Sequence, residues 1–404
     1  MIGKFLIRFL AVILIVGAAG TAAYALFQSS DKADQNLVYA DRTLLNGLWD
    51  SYKETYWEES TGRTLDKQQN DITTSEGQSY TMLRAVWESD KTTFDKSWAW
   101  TQEQLQREDN LFSWRWGKQD DGSYGLFTNM GGQNTASDAD SDLALALLMA
   151  GNRWQQQSYI DDANKIIKSM WEQEVVTVDG VPYLASNNQE KNSSQPIIMN
   201  PSYLAPYAFK EFAKVDKEHD WNAVADSSYV LINKSMDANL DKGSSAKLVP
   251  NWVAMDRTTG ELSAPTGGGN LDTNYGYDAM RTPWRLGMDY EWNKDPRAKE
   301  TLEKMSYLGE KWKNDSKIQS IYSHDGQVVT GDEVVESYGT SLSYFSLTDP
   351  GAAEDIYNQK IKVLYDQNTN GWSTDLTYYA DNWVWFGIAL YNHQLPNLVT
   401  ETTE

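Results

Sequence analysis

One stretch of the sequence, TASDADSDLALALLMAGNRW at 135–154, places three acidic residues directly before an apolar segment. Asp138, Asp140 and Asp142 stand at alternate positions, close enough to repel one another. The apolar residues after them follow a helical pattern, which predicts a helix over 138–153. The cluster needs an explanation, and we weigh a calcium loop, helix capping and a substrate site.

A calcium loop begins with this spacing but then requires Gly at its sixth position and Glu at its twelfth. Those positions hold Leu143 and Met149, so the match fails. Capping predicts Ser137 or Asp138 as the N-cap, with acidic residues at the positive end of the helix dipole. Capping explains one or two of the three aspartates, and a third is in excess.

Helical periodicity dominates the chain after the N-terminal region, and few convincing strands are found. The predicted helices form pairs joined alternately by short and long connections, which indicates a repeated two-helix unit. We predict an all-α fold in which six pairs close into an (α/α)6 barrel, although an open helical solenoid has the same spacing. The predicted helices span 38–57, 76–90, 93–109, 138–153, 158–174, 201–215, 219–238, 276–290, 295–313, 337–347, 352–367 and 376–393.

The long connections are rich in glycine and aromatic residues, and each precedes the same member of a helix pair. In a closed ring they gather at one end, where loops commonly carry function. Two further carboxylates have similar settings. Glu76 follows Ser75 at a helix start, with Gln78 placed as in a capping box. Asp278 lies between Tyr277 and Arg281, so we expect the acidic residues to converge on one face.

Two carboxylates in an aromatic cleft suit hydrolysis of a glycosidic bond. One is protonated and donates to the leaving oxygen, and the other is ionised and activates water or attacks. Arg281, one turn after Asp278, would stabilise the ionised form. The 17 Trp and 23 Tyr residues, against 10 Phe, favour surfaces that stack on sugars and bind their hydroxyl groups.

Other chemistries fit less well. A net charge of -22 argues against nucleic-acid binding. The chain has no cysteine, and its three histidines are scattered outside any HExxH, so neither a disulfide nor a zinc hydrolase is predicted. TGGGN at 266–270 lacks the Lys-Ser/Thr of a phosphate loop, and no GxSxG occurs.

The N-terminus carries an export signal. Lys4 and Arg8 precede an apolar run over 9–27, long enough for the roughly 20 residues that cross a bilayer. Ala-Tyr-Ala at 23–25 resembles a cleavage site, so a cleaved signal peptide and an uncleaved anchor are both open. The predicted organisation is a leader over 1–28, a linker over 29–37, a catalytic domain over 38–396 and a tail over 397–404.

The sequence resembles glycoside hydrolase family eight, whose members include bacterial endoglucanases, lichenases, xylanases and chitosanases. Residues 136–154 follow the family signature, which opens Ala-Ser/Thr-Asp-Ala/Gly-Asp, with a conservative departure at Leu143. Three more segments resemble the family in the expected order: SEGQSYTM at 75–82, NPSYLAPYAF at 200–209 and YDAMRTPWR at 277–285.

The resemblance implies an (α/α)6 barrel and an inverting mechanism without metal and without an organic cofactor. It implies Glu76 as general acid, Asp278 as general base, and Asp138 or Asp140 as the residue that binds the sugar at the cleavage point, with Asp138 favoured. Tyr277 and Arg281 would support the base, and Tyr203 lies in a segment that lines the cleft. The candidate stacking platforms are Trp114, Trp116, Trp252 and Trp284.

These observations predict an exported, monomeric, endo-acting β-1,4-glycanase, extracellular or anchored to the outer face of the cell membrane only through its N-terminal segment. Its substrate would be an environmental glucan or a polysaccharide that the same cell secretes. The alternative is a non-catalytic polysaccharide-binding protein, which the presence of both candidate catalytic carboxylates disfavours. A uronic-acid lyase would want Tyr/His chemistry and a basic cleft, whereas this chain is acidic.

Overall fold

A computed structural model describes residues 42–266 and 271–399. The chain divides into two compact units, Met1–Gly47 and Leu48–Glu404, and the second contains the fold described below. The predicted leader and linker, and residues 400–404 of the predicted tail, lie outside the described residues. Within the described ranges, no helix has the length and apolar character needed to cross a bilayer.

Thirteen α-helices occur in the described part of the chain. Helix α1 covers 42–56, of which 48–56 belong to the second unit. The others are α2 (Ser75–Glu88), α3 (Lys91–Gln104), α4 (Ser137–Arg153), α5 (Gln157–Gln173), α6 (Pro206–Val215), α7 (Trp221–Asp237), α8 (Thr282–Asn293), α9 (Pro296–Lys304), α10 (Ser306–Asp315), α11 (Val335–Thr348), α12 (Pro350–Ile356) and α13 (Tyr378–Tyr391).

Six of these helices form a closed inner ring. Helices α2, α4, α6, α8, α11 and α13 contact one another in that order, and α13 returns to contact α2. Most of their side chains are buried, whereas the outer helices bury mainly one face. Outer helices α3, α5, α7, α9 and α12 each pack on the inner helix that precedes them. The ring confirms the predicted (α/α)6 barrel and excludes an open solenoid.

Glycine allows two inner helices to touch through their backbones. A Cβ atom added to Gly387 of α13 would lie 2.1 Å from the carbonyl oxygen of Gly339 in α11. No side chain fits in that space, so both positions require glycine. The ring therefore closes most tightly between α11 and α13.

Two predicted inner helices begin later than expected because proline limits their first turn. The segment over 201–215 is a 3-10 turn at Pro201–Tyr203 followed by α6, which starts at Pro206. The segment over 276–290 starts with another 3-10 turn, Ala279–Arg281, and α8 runs from Thr282 to Asn293. These irregular turns place side chains at the end of the ring.

Two predicted outer helices are interrupted. The segment over 295–313 is two helices, α9 and α10, because Met305 leaves helical geometry with ψ 35°. The segment over 352–367 ends its α-helical part at Ile356 and continues as a π-helical turn over Tyr357–Ile361. Both changes lie on the outside of the ring.

Fourteen strands of two to four residues lie in the connections of the described chain. They are β1 (Trp57–Glu58), β2 (Arg63–Thr64), β3 (Thr73–Thr74), β4 (Arg115–Lys118), β5 (Tyr124–Leu126), β6 (Val175–Val178), β7 (Val181–Leu184), β8 (Ile197–Met199), β9 (Val253–Met255), β10 (Leu262–Ser263), β11 (Ile321–Tyr322), β12 (Val328–Thr330), β13 (Tyr365–Asp366) and β14 (Gly371–Trp372). All pair antiparallel, in two three-stranded sheets and four two-stranded pairs. Such short strands show no alternation that a sequence pattern reveals.

The C-terminal segment packs on the barrel beyond the predicted domain limit at residue 396. Leu398 is 3% exposed. Its carbonyl accepts a hydrogen bond from the Asn152 side chain at 2.6 Å, and Asn397 Nδ2 donates to Glu211 Oε1 at 2.7 Å. The predicted tail therefore starts too early, because residues 397 and 398 are part of the packed domain.

Candidate active site

The candidate carboxylates meet at the end of the ring where the inner helices begin. Glu76 is the second residue of α2, and Asp138 is the second residue of α4. Asp278 precedes the 3-10 turn that leads into α8, and Arg281 ends that turn. The inner helices are separated in sequence by outer helices, and they point the same way. Their first residues therefore lie together at one end of the ring, although they are far apart in sequence.

A single guanidinium group joins the three carboxylates. Nη1 of Arg281 donates to Glu76 Oε2 at 2.8 Å and to Asp138 Oδ2 at 3.1 Å, and Nη2 donates to Asp278 Oδ1 at 2.7 Å. Arg281 is 1% exposed. The planar geometry of the group limits the nearest oxygens of Glu76 and Asp278 to a separation of at most about 8 Å.

Glu76 is held by one donor on each oxygen. Tyr378, the first residue of α13, donates its O–H to Oε1 at 3.0 Å, while Arg281 binds Oε2. The side chain is 23% exposed, so it lies below the surface but remains open to the cleft. Burial raises the pKa of Glu76, against the opposing effects of Arg281 and Tyr378. This carboxyl is therefore biased toward its protonated form.

The start of α2 differs from the predicted capping box. The N-cap is Thr74, whose Oγ1 accepts from the N–H of Gly77 at 3.0 Å. Gln78 instead accepts from the backbone N–H of Thr64 at 2.6 Å. Strand β3 ends at Thr74 and pairs with β4, so the sheet and the cap together set the position of Glu76.

Asp278 accepts hydrogen bonds on both carboxylate oxygens. Asn200 Nδ2 donates to Oδ1 at 3.0 Å, beside Arg281, and Trp252 Nε1 donates to Oδ2 at 3.1 Å. The Asp278 side chain is 31% exposed. Three donors fit an ionised carboxylate, which only accepts hydrogen bonds.

Asp138 lies deeper than the other two carboxylates and does not cap its helix. The N-cap of α4 is Ala136, and the Ser137 hydroxyl donates to the carbonyl of Ala185 at 2.7 Å, so the predicted capping by Ser137 or Asp138 is wrong. Asp138 is 2% exposed, and its Oδ1 accepts from the N–H of Ala139 at 2.9 Å. Burial raises the pKa of Asp138 to about 7, with Arg281 opposing the shift.

Asp140 does not face the cleft. It is fully buried, and its Oδ1 accepts from the backbone N–H of Phe112 at 3.1 Å. Its neighbour is Glu174 of the segment after α5, and burial together with this second carboxyl raises the pKa of Asp140. The prediction that Asp140 binds substrate is therefore wrong for this structure, because the side chain is closed off from any ligand.

Asp142 forms an ion pair inside the ring. Its two oxygens accept from Nη1 and Nη2 of Arg285 at 2.5 and 2.7 Å, and Arg285 also donates to the Tyr207 hydroxyl at 2.7 Å. Asp142 and Arg285 are each 1% exposed. The three alternating aspartates thus have three separate environments: the cleft floor, a carboxyl pair and a buried ion pair.

Two of the predicted aromatic residues, Tyr203 and Trp252, lie against the carboxylate cluster. Tyr203 lies under Arg281, with the guanidinium carbon 5.2 Å from its ring centre, and its ring meets that of Trp252 at 5.7 Å. Tyr277 is 44% exposed beside Asp278. Trp114 is half-buried in the loop before α4 and donates its N–H to the carbonyl of Gly131 at 3.0 Å.

The other two predicted stacking residues, Trp116 and Trp284, contact other parts of the fold. Trp116 is on β4, where its ring stacks on Tyr124 at 5.3 Å and meets the edge of Trp100 of α3. Trp284 is 1% exposed, and its N–H donates to the carbonyl of Phe386 at 2.9 Å. Trp284 is a core residue of the barrel, so the prediction that it stacks on a sugar is wrong.

Several residues of the site were not predicted. Asn200 and Ser202 lie in the segment NPSYLAPYAF, and Tyr378 begins the last inner helix. A rule that every inner helix contributes its start to the site would have found Tyr378. Asn200 and Ser202 carry no such signal, since their roles depend on the turn before α6. In the described ranges, no group of three or more His, Asp or Glu side chains could hold a metal ion.

Known proteins are similar to this chain in sequence and in fold. The sequence profile described as "Glycosyl hydrolases family 8" matches residues 19–386. Endoglucanase A of Acetivibrio thermocellus is 27% identical over 307 residues, which cover 74% of this chain and only 58% of that protein. The crystal structure of endo-1,4-D-glucanase from Vibrio fischeri ES114 superposes with a TM-score of 0.71 and 26% identity, covering 85% of this chain and 94% of the other. A β-1,3-1,4-glucanase from Paenibacillus sp. X4, 22% identical, has the same fold with a TM-score of 0.71 over 88% of this chain and 92% of its own. The chain therefore belongs to glycosyl hydrolase family 8.

Proposed function

We propose that this protein is an exported, endo-acting glycoside hydrolase that cleaves β-1,4-linked glucan with inversion at the anomeric carbon. The observation that carries the proposal is the bridge from Arg281 to Glu76 and Asp278. In this bridge a half-buried carboxyl with a raised pKa and a carboxylate that accepts three hydrogen bonds share one guanidinium. Unequal environments of this kind separate the acid from the base.

Glu76 is assigned as the general acid. Its raised pKa favours the protonated form at the pH where the reaction occurs. Tyr378 and Arg281 hold its two oxygens, so the carboxyl is oriented before a substrate arrives. The proton passes from Glu76 to the oxygen of the departing sugar as the glycosidic bond breaks.

Asp278 is assigned as the general base. Its side chain is more open than that of Glu76, with 31% of its area exposed against 23%, so water reaches it from the cleft. The separation limit of about 8 Å is compatible with the roughly 6.5–9.5 Å of inverting enzymes and also with the roughly 5–5.5 Å of retaining ones, so the anomer of the first product decides between them. Water between Asp278 and the sugar attacks from the face opposite Glu76.

Asp138 is assigned to the charge that develops on the sugar ring. It shares Nη1 of Arg281 with Glu76, so it lies between the acid and the barrel interior. A carboxylate fixed there stabilises the oxocarbenium-like transition state electrostatically. Burial raises the pKa of Asp138 to about 7, so acidification below that pH removes this charge.

The substrate class rests on the relatives. Their names specify an endoglucanase, an endo-1,4-D-glucanase and a β-1,3-1,4-glucanase, which all act on glucans. We infer a β-1,4-glucan, either environmental or secreted by the same cell. The basic and apolar N-terminal run over 4–27 supports export, because basic residues before an apolar segment favour translocation of the chain that follows.

The test measures reducing ends released by the full chain from carboxymethyl-cellulose, mixed-linkage glucan, xylan and chitosan. Glu76→Gln and Asp278→Asn should each lower the rate at least about 100-fold, since each removes a proton-transfer group. Glu291→Gln is the matched control, because Glu291 lies near the opposite end of α8 and pairs with His393 at 2.9 Å. It should leave the rate unchanged.

Two further readings complete the test. A fall in viscosity that outpaces reducing-end release marks endo cleavage, and proton NMR of the first product should show the α-anomer. A β-anomer as first product would refute inversion. If the folded protein binds glucan but releases no reducing ends from any polymer, it is a polysaccharide-binding protein instead.

A further inference from the structure

Trp252 contacts the proposed base through its edge. Its indole N–H points at Asp278 Oδ2, 3.1 Å away, while Asn200 and Arg281 occupy Oδ1 at 3.0 and 2.7 Å. A sugar platform uses the face of the ring, whereas this contact uses the N–H at its rim. The sequence alone placed Trp252 among the stacking residues.

We propose that Trp252 is a positioning residue for the general base, and that its N–H restricts the attacking water to one lone pair of Asp278 Oδ2. This proposal rests on the proposed function, since it requires Asp278 to act as base. Oδ1 already accepts two donors and has no free position. Oδ2 accepts one donor from Trp252, which leaves one position for water.

A short sheet delivers the two neutral donors together. Strand β8 ends at Met199 and pairs with Val253 at the start of β9, so Asn200 and Trp252 are the next residues on the two strands. The ladder therefore places both side chains beside the same carboxylate. Ser202 orients the amide of Asn200, since its N–H and hydroxyl both donate to Asn200 Oδ1 at 3.0 and 2.7 Å.

The residue before Trp252 holds the backbone that carries the base. Oδ1 of Asn251 accepts from the N–H of Gly276 at 3.2 Å and from that of Ala279 at 2.9 Å. These two N–H groups flank Asp278 in the chain. One tight segment thus restrains the backbone and the carboxylate of the base, which argues for a fixed geometry and against a mobile platform.

The first experiment compares Trp252→Phe with Trp252→Ala in the full chain, using carboxymethyl-cellulose. Phenylalanine keeps a ring face but lacks the N–H. We expect Trp252→Phe to lower kcat about tenfold or more, as for loss of a hydrogen bond to a charged group, with KM changed less than about twofold. Trp292→Phe is the matched control, because its N–H donates to the carbonyl of Leu395 at 2.7 Å, away from the carboxylates.

A stacking role gives the opposite pattern. Trp252→Phe would then keep kcat, and Trp252→Ala would mainly raise KM, which would overturn the proposal. Thermal unfolding of each variant shows whether it is folded. Failure of the proposed function is recognised separately. If Glu76→Gln and Asp278→Asn retained activity, these residues would not be the acid and the base, whatever the Trp252 variants showed.

A second experiment needs no turnover. In the indole region of a ¹⁵N–¹H spectrum, the Trp252 signal is identified by its absence from Trp252→Phe. Asp278→Asn should move this signal, because the N–H then faces a neutral amide in place of a carboxylate. The Trp292 signal should stay in place. An unmoved Trp252 signal would show that the bond to Asp278 is not made in solution, and it would refute the proposal.

Discussion

The pair formed by Asp140 and Glu174 makes the stability of the protein depend on pH in an unusual direction. Both side chains are fully buried. No donor among the described residues reaches Asp140 Oδ2 or Glu174 Oε2. The two carboxyl groups are neighbours, so a proton on one of them can form a hydrogen bond to the other. A single proton shared between the two carboxyls satisfies both atoms, so we expect the folded protein to keep a proton that the unfolded chain releases.

The pKa directions set the window and the magnitude. Burial raises the pKa of Glu174 to about 8 from its ordinary 4.5, while the Thr135 hydroxyl and Asp140 oppose the shift by hydrogen bonding. Between these values both carboxyls are ionised in the unfolded chain, whereas the folded pair keeps one proton, so the free energy of unfolding falls as pH rises. One proton changes it by about 1.4 kcal/mol per pH unit, which amounts to a loss on the order of 5 kcal/mol across the window.

Asp140→Asn tests this reasoning. The amide takes the place of the protonated carboxyl, accepts from Phe112 as before and donates to Glu174, so no shared proton is needed. Urea unfolding of the full chain at pH 4.5, 6 and 8 should show that the variant loses at least about 2 kcal/mol less than the wild type between the extremes. At pH 8 the variant should be the more stable protein.

Asp142→Asn is the contrasting variant on the same helix. It leaves Arg285 buried without its carboxylate and should lower stability by about 3–5 kcal/mol at every pH. If Asp140→Asn showed the same pH dependence as the wild type, or destabilised the protein most at pH 8, the shared proton would be refuted.

Three further outcomes are expected. Tyr378→Phe removes the donor that favours ionised Glu76, so the pKa of Glu76 should rise and the basic limb of the kcat/KM profile should move to higher pH; an unmoved limb would contradict the assignment. Gly387→Ala forces a methyl group against Gly339 and should cost about 1–3 kcal/mol in urea unfolding, whereas Gly331→Ala, with open space around it, should cost little. Chelation with EDTA should leave the hydrolysis rate unchanged, since the described residues offer no metal-binding cluster.

Helix existence was predictable because apolar periodicity extends over whole turns, as in α4. The ends of the helices were less predictable. Pro206 and Pro283 delay two inner helices, and Met305 divides an outer one, through local backbone geometry that periodicity does not register. The short strands were not predicted for a related reason, because each has only two to four residues and forms by pairing with another segment.

The candidate site, too, was predictable from the sequence only in part. The sequence by itself determined the chemical groups: Glu76, Asp138 and Asp278 at helix starts, with Arg281 one turn from the last. Only the tertiary structure decided that one guanidinium binds all three carboxylates, because that depends on closure of the ring.

Tertiary packing also separated residues that look alike in sequence. Asp138, Asp140 and Asp142 alternate along one helix start, and residues two apart on a helix point about 200° apart. Asp140 therefore faces the opposite side from Asp138 and Asp142, which lie on one side at successive turns and meet different neighbours. Asp138 meets Arg281 at the cleft, Asp140 meets Glu174, and Asp142 meets Arg285. The local sequence specifies the three charges. Their partners come from other segments of the chain, so only the closed ring gives each charge its role.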